Sequence, residues 1–208
     1  MSAENHWRQV HDSKAEDQVS WFQARPETSL RLIQNAGLTP TAHIIDVGAG
    51  ASRLVDNLLE LGYSHLAVLD IAEGGMAKAK DRLGDRAESV QWIVSDVTQF
   101  RSEKAWDLWH DRAVYHFLVD ADDQERYRRV LESAVAPGGH VMIATFGPDG
   151  PERCSGLPVV RHSAEQLAAE LGEAFVLRES VLEDHRTPSG AVQQFLYARF
   201  ERSITGDE

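Results

Sequence analysis

The sequence predicts a doubly wound α/β fold with a mainly parallel sheet, and three observations predict it. Short apolar runs rich in Val and Ile recur along the chain and alternate with helical patterns. The first of these runs feeds a glycine-rich turn that opens a helix. The last two are joined by a turn-rich stretch, Thr187-Pro188-Ser189-Gly190, short enough for a hairpin, so those strands should be antiparallel to each other.

The apolar runs are His43–Val47, His65–Leu69, Val90–Val94, Trp106–Trp109 and His140–Phe146. None alternates strictly, which suits strands buried on both faces of a parallel sheet. Helices are expected at Ser52–Leu61, Glu73–Leu83 and Asp122–Val135, the last opening with carboxylates and stopping at Pro137-Gly138-Gly139. Such alternation implies right-handed crossovers. The N-terminal portion carries Trp7, Trp21 and Phe22, then a helix from near Pro26, where proline suits a first turn. The C-terminal portion reads as a helix, Ala164–Leu171, and two strands, Phe175–Leu182 and Ala191–Phe200. With no repeat and no long linker, the 208 residues are expected to form one domain: residues 1–41 a helical lid, 42–146 a cofactor-binding core, and 147–208 a substrate-side loop and terminal strands.

Bulk properties remove several function classes. A net charge of −12 argues against a partner held by its phosphates, so no nucleic acid is expected. No apolar run approaches the ~20 residues of a membrane span, and the first ten residues are too polar for a signal peptide. A cytoplasmic protein without a membrane partner fits. The lone Cys154 permits no internal disulfide, and the nine histidines show no paired zinc spacing, so no metal is expected.

The strongest local signal is Ile44-Ile45-Asp46-Val47-Gly48-Ala49-Gly50-Ala51-Ser52-Arg53, a strand entering a turn whose glycines let a ligand approach the backbone. Arg53 stands where a dinucleotide fingerprint wants its third glycine, which counts against NAD. Asp70 ends the next strand, 20 residues after Gly50, where a carboxylate can accept from both hydroxyls of a ribose or simply cap the following helix. Asp46 would repel a pyrophosphate and attract a sulfonium or an ammonium; it would equally serve as a buried cap for the loop amides. Ser95-Asp96-Val97 follows the third run, where an acid and a backbone amide can meet adenine.

In this order, Asp46-Val47-Gly48-Ala49-Gly50, Asp70, Ser95-Asp96-Val97, Trp106-Asp107-Leu108 and Ala136-Pro137-Gly138-Gly139 resemble the motifs of class I S-adenosylmethionine-dependent methyltransferases. The resemblance covers roughly residues 42–146, with Ser52 where the family usually has a third glycine. It implies a Rossmann-like sheet of seven strands, the last antiparallel and inserted beside His140–Phe146. It also implies S-adenosyl-L-methionine as cofactor. Asp46, Gly48, Ala49 and Gly50 would line its methionine part, Asp70 and Ile71 the ribose, and Asp96 and Val97 the adenine, with His110 and Trp21 completing the set. Gln18–Gln23 is similar to a leading segment of small bacterial methyltransferases and their lysine-methylating relatives. His110-Asp111-Arg112-Ala113-Val114 resembles the Asp-Arg-x-Ala-Leu run of thiopurine and tellurite methyltransferases.

Acceptor-side groups should come from the strand-four exit and the loop after strand five, because ligands sit at the carboxyl ends of the strands. That nominates His110, Asp111, Arg112, His116 and the loop Phe146–Pro158, with Asp111, Arg112 and His116 as the catalytic candidates. His116 reads either as a general base or as one polar residue on a helix carrying Val114, Phe117 and Leu118. Asp111 and Arg112 either act on the acceptor or pair with one another or with the N-terminal segment. Trp21 and Phe22 either roof the cofactor or pack a helix on the core. Cys154 reads as an incidental surface cysteine. The expected activity is methyl transfer to a small molecule, possible targets being a thiol or a metalloid. The alternatives are a protein lysine acceptor and a nucleotide-binding module without turnover.

Overall fold

The computed structural model describes residues 2–204. Strands β1 (His43–Val47), β2 (His65–Asp70), β3 (Val90–Val94), β4 (Trp106–Arg112) and β5 (Val135–Phe146) are parallel where they pair. A two-residue hairpin follows, β6 (Arg153–Cys154) with β7 (Leu157–Pro158). The chain ends on the long antiparallel pair β8 (Phe175–Arg186) and β9 (Val192–Arg202). The order across the main sheet is β3-β2-β1-β4-β5-β9-β8, so β9 lies between β5 and β8 and is antiparallel to both. This is the seven-stranded, mainly parallel Rossmann-like arrangement expected, with the last strand inserted beside β5.

Both faces of the sheet are covered, as buried parallel strands require. One apolar layer joins Ile45, Trp109, Ile143 and Phe200 to α5 (Ala121–Ala134) and α6 (Ala164–Leu171). The other joins Ile44, Leu108, Met142 and Tyr197 to α2 (Glu27–Asn35), α3 (Leu54–Glu60) and α4 (Glu73–Leu83). In β1, Ile44 and Ile45 go to opposite layers, the two-residue period of a strand.

Two boundaries differ from the sequence reading in ways that matter. The fourth strand runs three residues past Trp109, so His110, Asp111 and Arg112 are strand residues rather than the loop beyond. The fifth begins at Val135, and Pro137-Gly138-Gly139 lies inside it. A Cβ on Gly139 would stand 3.0 Å from the Trp106 carbonyl oxygen, so the glycine admits that close approach. An amphipathic helix, α1 (Ala3–Ser13), precedes the sheet, with Ser2 accepting from the Asn5 amide at its N-terminus. Among the described residues no helix is long and apolar enough to cross a membrane.

Candidate active site

A cavity of about 250 Å³ opens at the carboxyl ends of β1, β2, β3 and β4. Gly48 and Gly50 form one wall, both at positive φ (+61° and +50°). Gly48 has no room for a side chain, because a Cβ there would meet Val114 Cγ2 at 1.9 Å. Gly75 of α4 likewise faces the loop, where a Cβ would stand 2.6 Å from Gly50 Cα.

Asp70 is 5% exposed and held by two amides, Gly50 N to Oδ2 and Ala72 N to Oδ1, each at 2.8 Å. Burial pushes its pKa up to about 6; the amides of Ala72 and Gly50 work against the shift and the nearby Asp46 adds to it. Asp70 thus ties the glycine loop to the segment ahead of α4 and also faces the cavity. Asp96 faces it as well. It accepts from Thr98 N and Thr98 Oγ1 at 2.8 Å, which starts a turn of 3₁₀ helix, and it lines the cavity beside Val97.

Asp46 and His110 form a buried chain under the glycine loop. Asp46 Oδ1 lies 2.6 Å from His110 Nδ1, and His110 Nε2 lies 3.0 Å from Ser29 Oγ of α2. With a carboxylate on one side, Nδ1 donates to Asp46, and Nε2 shares a hydrogen bond with the serine hydroxyl. Asp46 Oδ2 is buried with no partner. Neither Asp46 nor Ala49 lines the cavity, and His110 reaches only a smaller adjoining chamber of about 50 Å³.

The strand-four candidates separate by pleat. Asp111 faces α5, fully buried, accepting from Tyr127 Oη at 2.6 Å and from the amides of Val114 and Tyr115. Burial raises its pKa to about 6, against those hydrogen bonds. Arg112 faces the other way, so the two do not pair. Its Nη1 donates to the Trp21 carbonyl (2.8 Å) and Nε to Tyr197 Oη (2.9 Å), and it lines both chambers. His116 sits not on a helix but in a single 3₁₀ turn, Tyr115–Phe117, and is fully buried. Its Nδ1 accepts from Phe146 N at 3.3 Å, and burial, with His162 and Arg112, drives its pKa down to about 3. Asp111 and His116 therefore lie behind the cavity wall.

Groups that the sequence did not single out complete the wall. Trp7 and His11 reach it from α1, and Trp7 packs edge-on against Trp21 (5.9 Å) and Phe117 (5.1 Å) to roof the cavity. Lys78 of α4 holds that helix down, donating to the carbonyls of His11 and Lys14. Glu16 bridges Arg53 and Arg82 just beyond it. Cys154 is no surface thiol: the β6/β7 hairpin turns it inward, leaving it 5% exposed in the cavity wall, where burial pushes its pKa up to about 11. Among the described residues no cluster of His, Cys, Asp and Glu is placed to hold a metal ion.

A family model described as "Methyltransferase domain" matches residues 44–139. Nodulation protein S of Sinorhizobium fredii is 26% identical over 205 residues, covering 99% of this chain and 87% of that protein. Malonyl-[acyl-carrier protein] O-methyltransferase 1 of Ilyobacter polytropus is 32% identical over 106 residues, which are 50% of this chain and 38% of that one. The crystal structure of N-methyltransferase NodS from Bradyrhizobium japonicum WM9, in complex with S-adenosylhomocysteine, superposes with a TM-score of 0.69 at 19% identity, over 94% of this chain and 97% of that one. With the glycine turn, Asp70 and the inserted antiparallel strand all in place, the methyltransferase-domain match over residues 44–139 and the likeness to solved methyltransferases support a class I S-adenosylmethionine-dependent methyltransferase.

Proposed function

We propose that this enzyme methylates a small molecule held between the cofactor and the β4–β5 side of the cavity. The observation that carries this reading is the roof. Trp7, Trp21 and Phe117 close over a cavity whose floor holds the glycine turn, Asp70, Asp96 and Val97. A site closed in this way shields a small acceptor from water, whereas a protein lysine needs an open channel.

The residues present fit the cofactor. Asp70 would accept from the ribose hydroxyls, with Ile71 beside it, and Asp96 and Val97 would meet the adenine. Gly48 and Gly50 admit the backbone contact, and the free Oδ2 of Asp46 leaves one unshared carboxylate oxygen beneath the methionine part. Bound there, S-adenosylmethionine supplies a methyl group already activated on a sulfonium. The chain's own part is to orient and to exclude water. Asp70, Asp96 and Asp123 in the wall favour the cationic cofactor, while Arg112 is the cation in the same lining. His11 is the imidazole that reaches the cavity. Burial and the Lys78 charge lower its pKa, which keeps it neutral and able to take a proton. His116 supports the wall from behind.

The names of the relatives favour nitrogen or oxygen acceptors over the thiol or metalloid suggested by the Asp-Arg-x-Ala run. Purified protein should bind S-adenosylhomocysteine more tightly than NAD in calorimetry and release it from S-adenosylmethionine with small amines, acids, thiols or metalloid anions. Labelled methyl on a lysine of a lysate protein would instead establish the protein-acceptor reading. Binding without turnover on any acceptor would establish the module.

A further inference from the structure

Among the described residues, Arg112 forms no direct ion pair. Its two hydrogen bonds go to a phenol, Tyr197, and a carbonyl, Trp21, both uncharged. Its third nitrogen, Nη2, is buried with no partner, and no Asp or Glu forms an ion pair with it among the described residues. Glu183 is reached only through Tyr197, at 3.5 Å from that hydroxyl, and already accepts from Gln23 and Thr28. The guanidinium carbon lies 4.8 Å from the centre of the Phe195 ring, so the group cannot swing out to water without losing three contacts. Arginine does not relieve such a position by losing its proton. A guanidinium without a direct ion pair, with one unpartnered nitrogen and pre-oriented in a cavity wall, is suited to an anionic ligand.

The surroundings point the same way. The larger chamber is acidic, with Asp70, Asp96 and Asp123 in its wall. The adjoining chamber inverts the sign, with Lys14, Arg53, Lys78 and Arg112 against Glu16 alone, in a protein of net charge −12. Lys78 spends its hydrogen bonds on backbone carbonyls, not on an acid. Register places Arg112 to one side of the glycine turn. The last β1 residue, Val47, pairs with Asp111, while Arg112 pairs with Ala144 of β5. Arg112 therefore stands one residue beyond the end of β1, towards β5 and β9, whereas Gly48, Gly50 and Asp70 mark the cofactor over β1 and β2.

We propose that Arg112 recognises a carboxylate on the methyl acceptor, so that the small molecules this enzyme methylates are carboxylic acids or amino acids. The proposal rests on the small-acceptor reading above and narrows it to one charge class. The Nη2 of Arg112 binds one carboxylate oxygen, and the basic chamber keeps the charge favourable despite the acidic exterior.

Calorimetry on protein saturated with S-adenosylhomocysteine tests this with acetate, malonate and benzoate, and with benzamide as the neutral control. The carboxylates should bind and benzamide should not, an outcome that needs no variant. Arg112→Gln should weaken carboxylate binding by roughly 30-fold or more while S-adenosylhomocysteine binds as in the wild type. Arg112→Lys, which keeps the charge, should retain part of it. Equal binding of benzoate and benzamide, or no carboxylate binding at all, overturns the proposal and leaves the methyltransferase reading intact. So does an Arg112→Gln protein that loses affinity for S-adenosylhomocysteine but not for 5′-methylthioadenosine, because the arginine then serves the cofactor's own carboxylate. If S-adenosylhomocysteine fails to bind the wild type, both readings fall together.

Discussion

Val114 and Gly48 interlock: the Cγ2 methyl of Val114 fills the place where a Cβ on Gly48 would stand, 1.9 Å away. Gly48 also has φ +61°, which an L side chain adopts at a cost of about 1–2 kcal/mol. Gly48→Ala should therefore lose about 2–4 kcal/mol of stability from backbone strain and overpacking together. Adding Val114→Ala should recover the packing part and leave the backbone part. Urea denaturation of the two single variants and the double measures both, and simple additivity would show that the two residues do not interact.

Asp70 should make cofactor binding pH-dependent. Its folded pKa of about 6 means that the carboxylate becomes protonated as pH falls through that value. Affinity for S-adenosylhomocysteine should thus decline below about pH 6 and be flat above it, and Asp70→Asn should abolish the slope. Asp70→Ala should weaken binding at neutral pH by about 1.5–3 kcal/mol, the loss of charge-assisted hydrogen bonds. In the free protein the sign is opposite. A pKa raised on folding gives stability that is present below about pH 4 and lost as pH rises through about 6. Apo-protein melts across that window, with and without Asp70→Asn, check the direction.

His116 should govern acid stability rather than turnover. Its pKa falls from its ordinary value to about 3 on folding, so the unfolded chain binds the extra proton between those limits. Its contribution is full above about pH 6.5 and is lost as pH falls towards 3. His116→Gln should flatten acid unfolding in that range and leave the pH profile of kcat/KM unchanged. A shifted kcat/KM profile would return His116 to the chemistry.

Lys78→Met should loosen the roof without touching the floor. The ammonium is what ties the carbonyls of His11 and Lys14, and so α1, to α4. Stopped-flow Trp fluorescence should show faster release of S-adenosylhomocysteine, with overall stability little changed. An unaltered release rate would mean that α1 does not gate the site.

The floor of the site was legible in the sequence because its residue types are dictated position by position. Glycine meets positive φ at 48 and 50, an acid at a strand end can take the amide of Ala72 two residues on, and Asp96 takes that of Thr98, although Asp70 also reaches back to Gly50. The roof was legible only in part: residues 1–41 read as a helical lid with Trp21 a candidate for it, whereas Trp7 and His11 were not singled out. Trp7 and His11 reach the cavity because Lys78, more than sixty positions along, caps the end of their helix, and no spacing within residues 3–13 announces that. His116 looked like a helical residue because Val114, Phe117 and Leu118 suit a helix, yet only the single turn Tyr115–Phe117 forms there, its start held by Asp111 through the amides of Val114 and Tyr115. Cys154 misled for a similar reason. A loop rich in Gly and Pro reads as exposed, but a hairpin of two residues a side is enough to turn one thiol inward.

The place of β9 in the sheet sets the order in which the molecule can be made. β8 emerges from the ribosome before β9 but touches β5 only through it, since β9 lies between them. Until residues 192–202 are synthesised, β8 has no ladder to join, and the edge of β5 stays open from His140 to Phe146. The first five strands can assemble during synthesis. The open edge is meanwhile a template for stray pairing, and a ribosome stalled before Val192 would expose it for as long as the stall lasts.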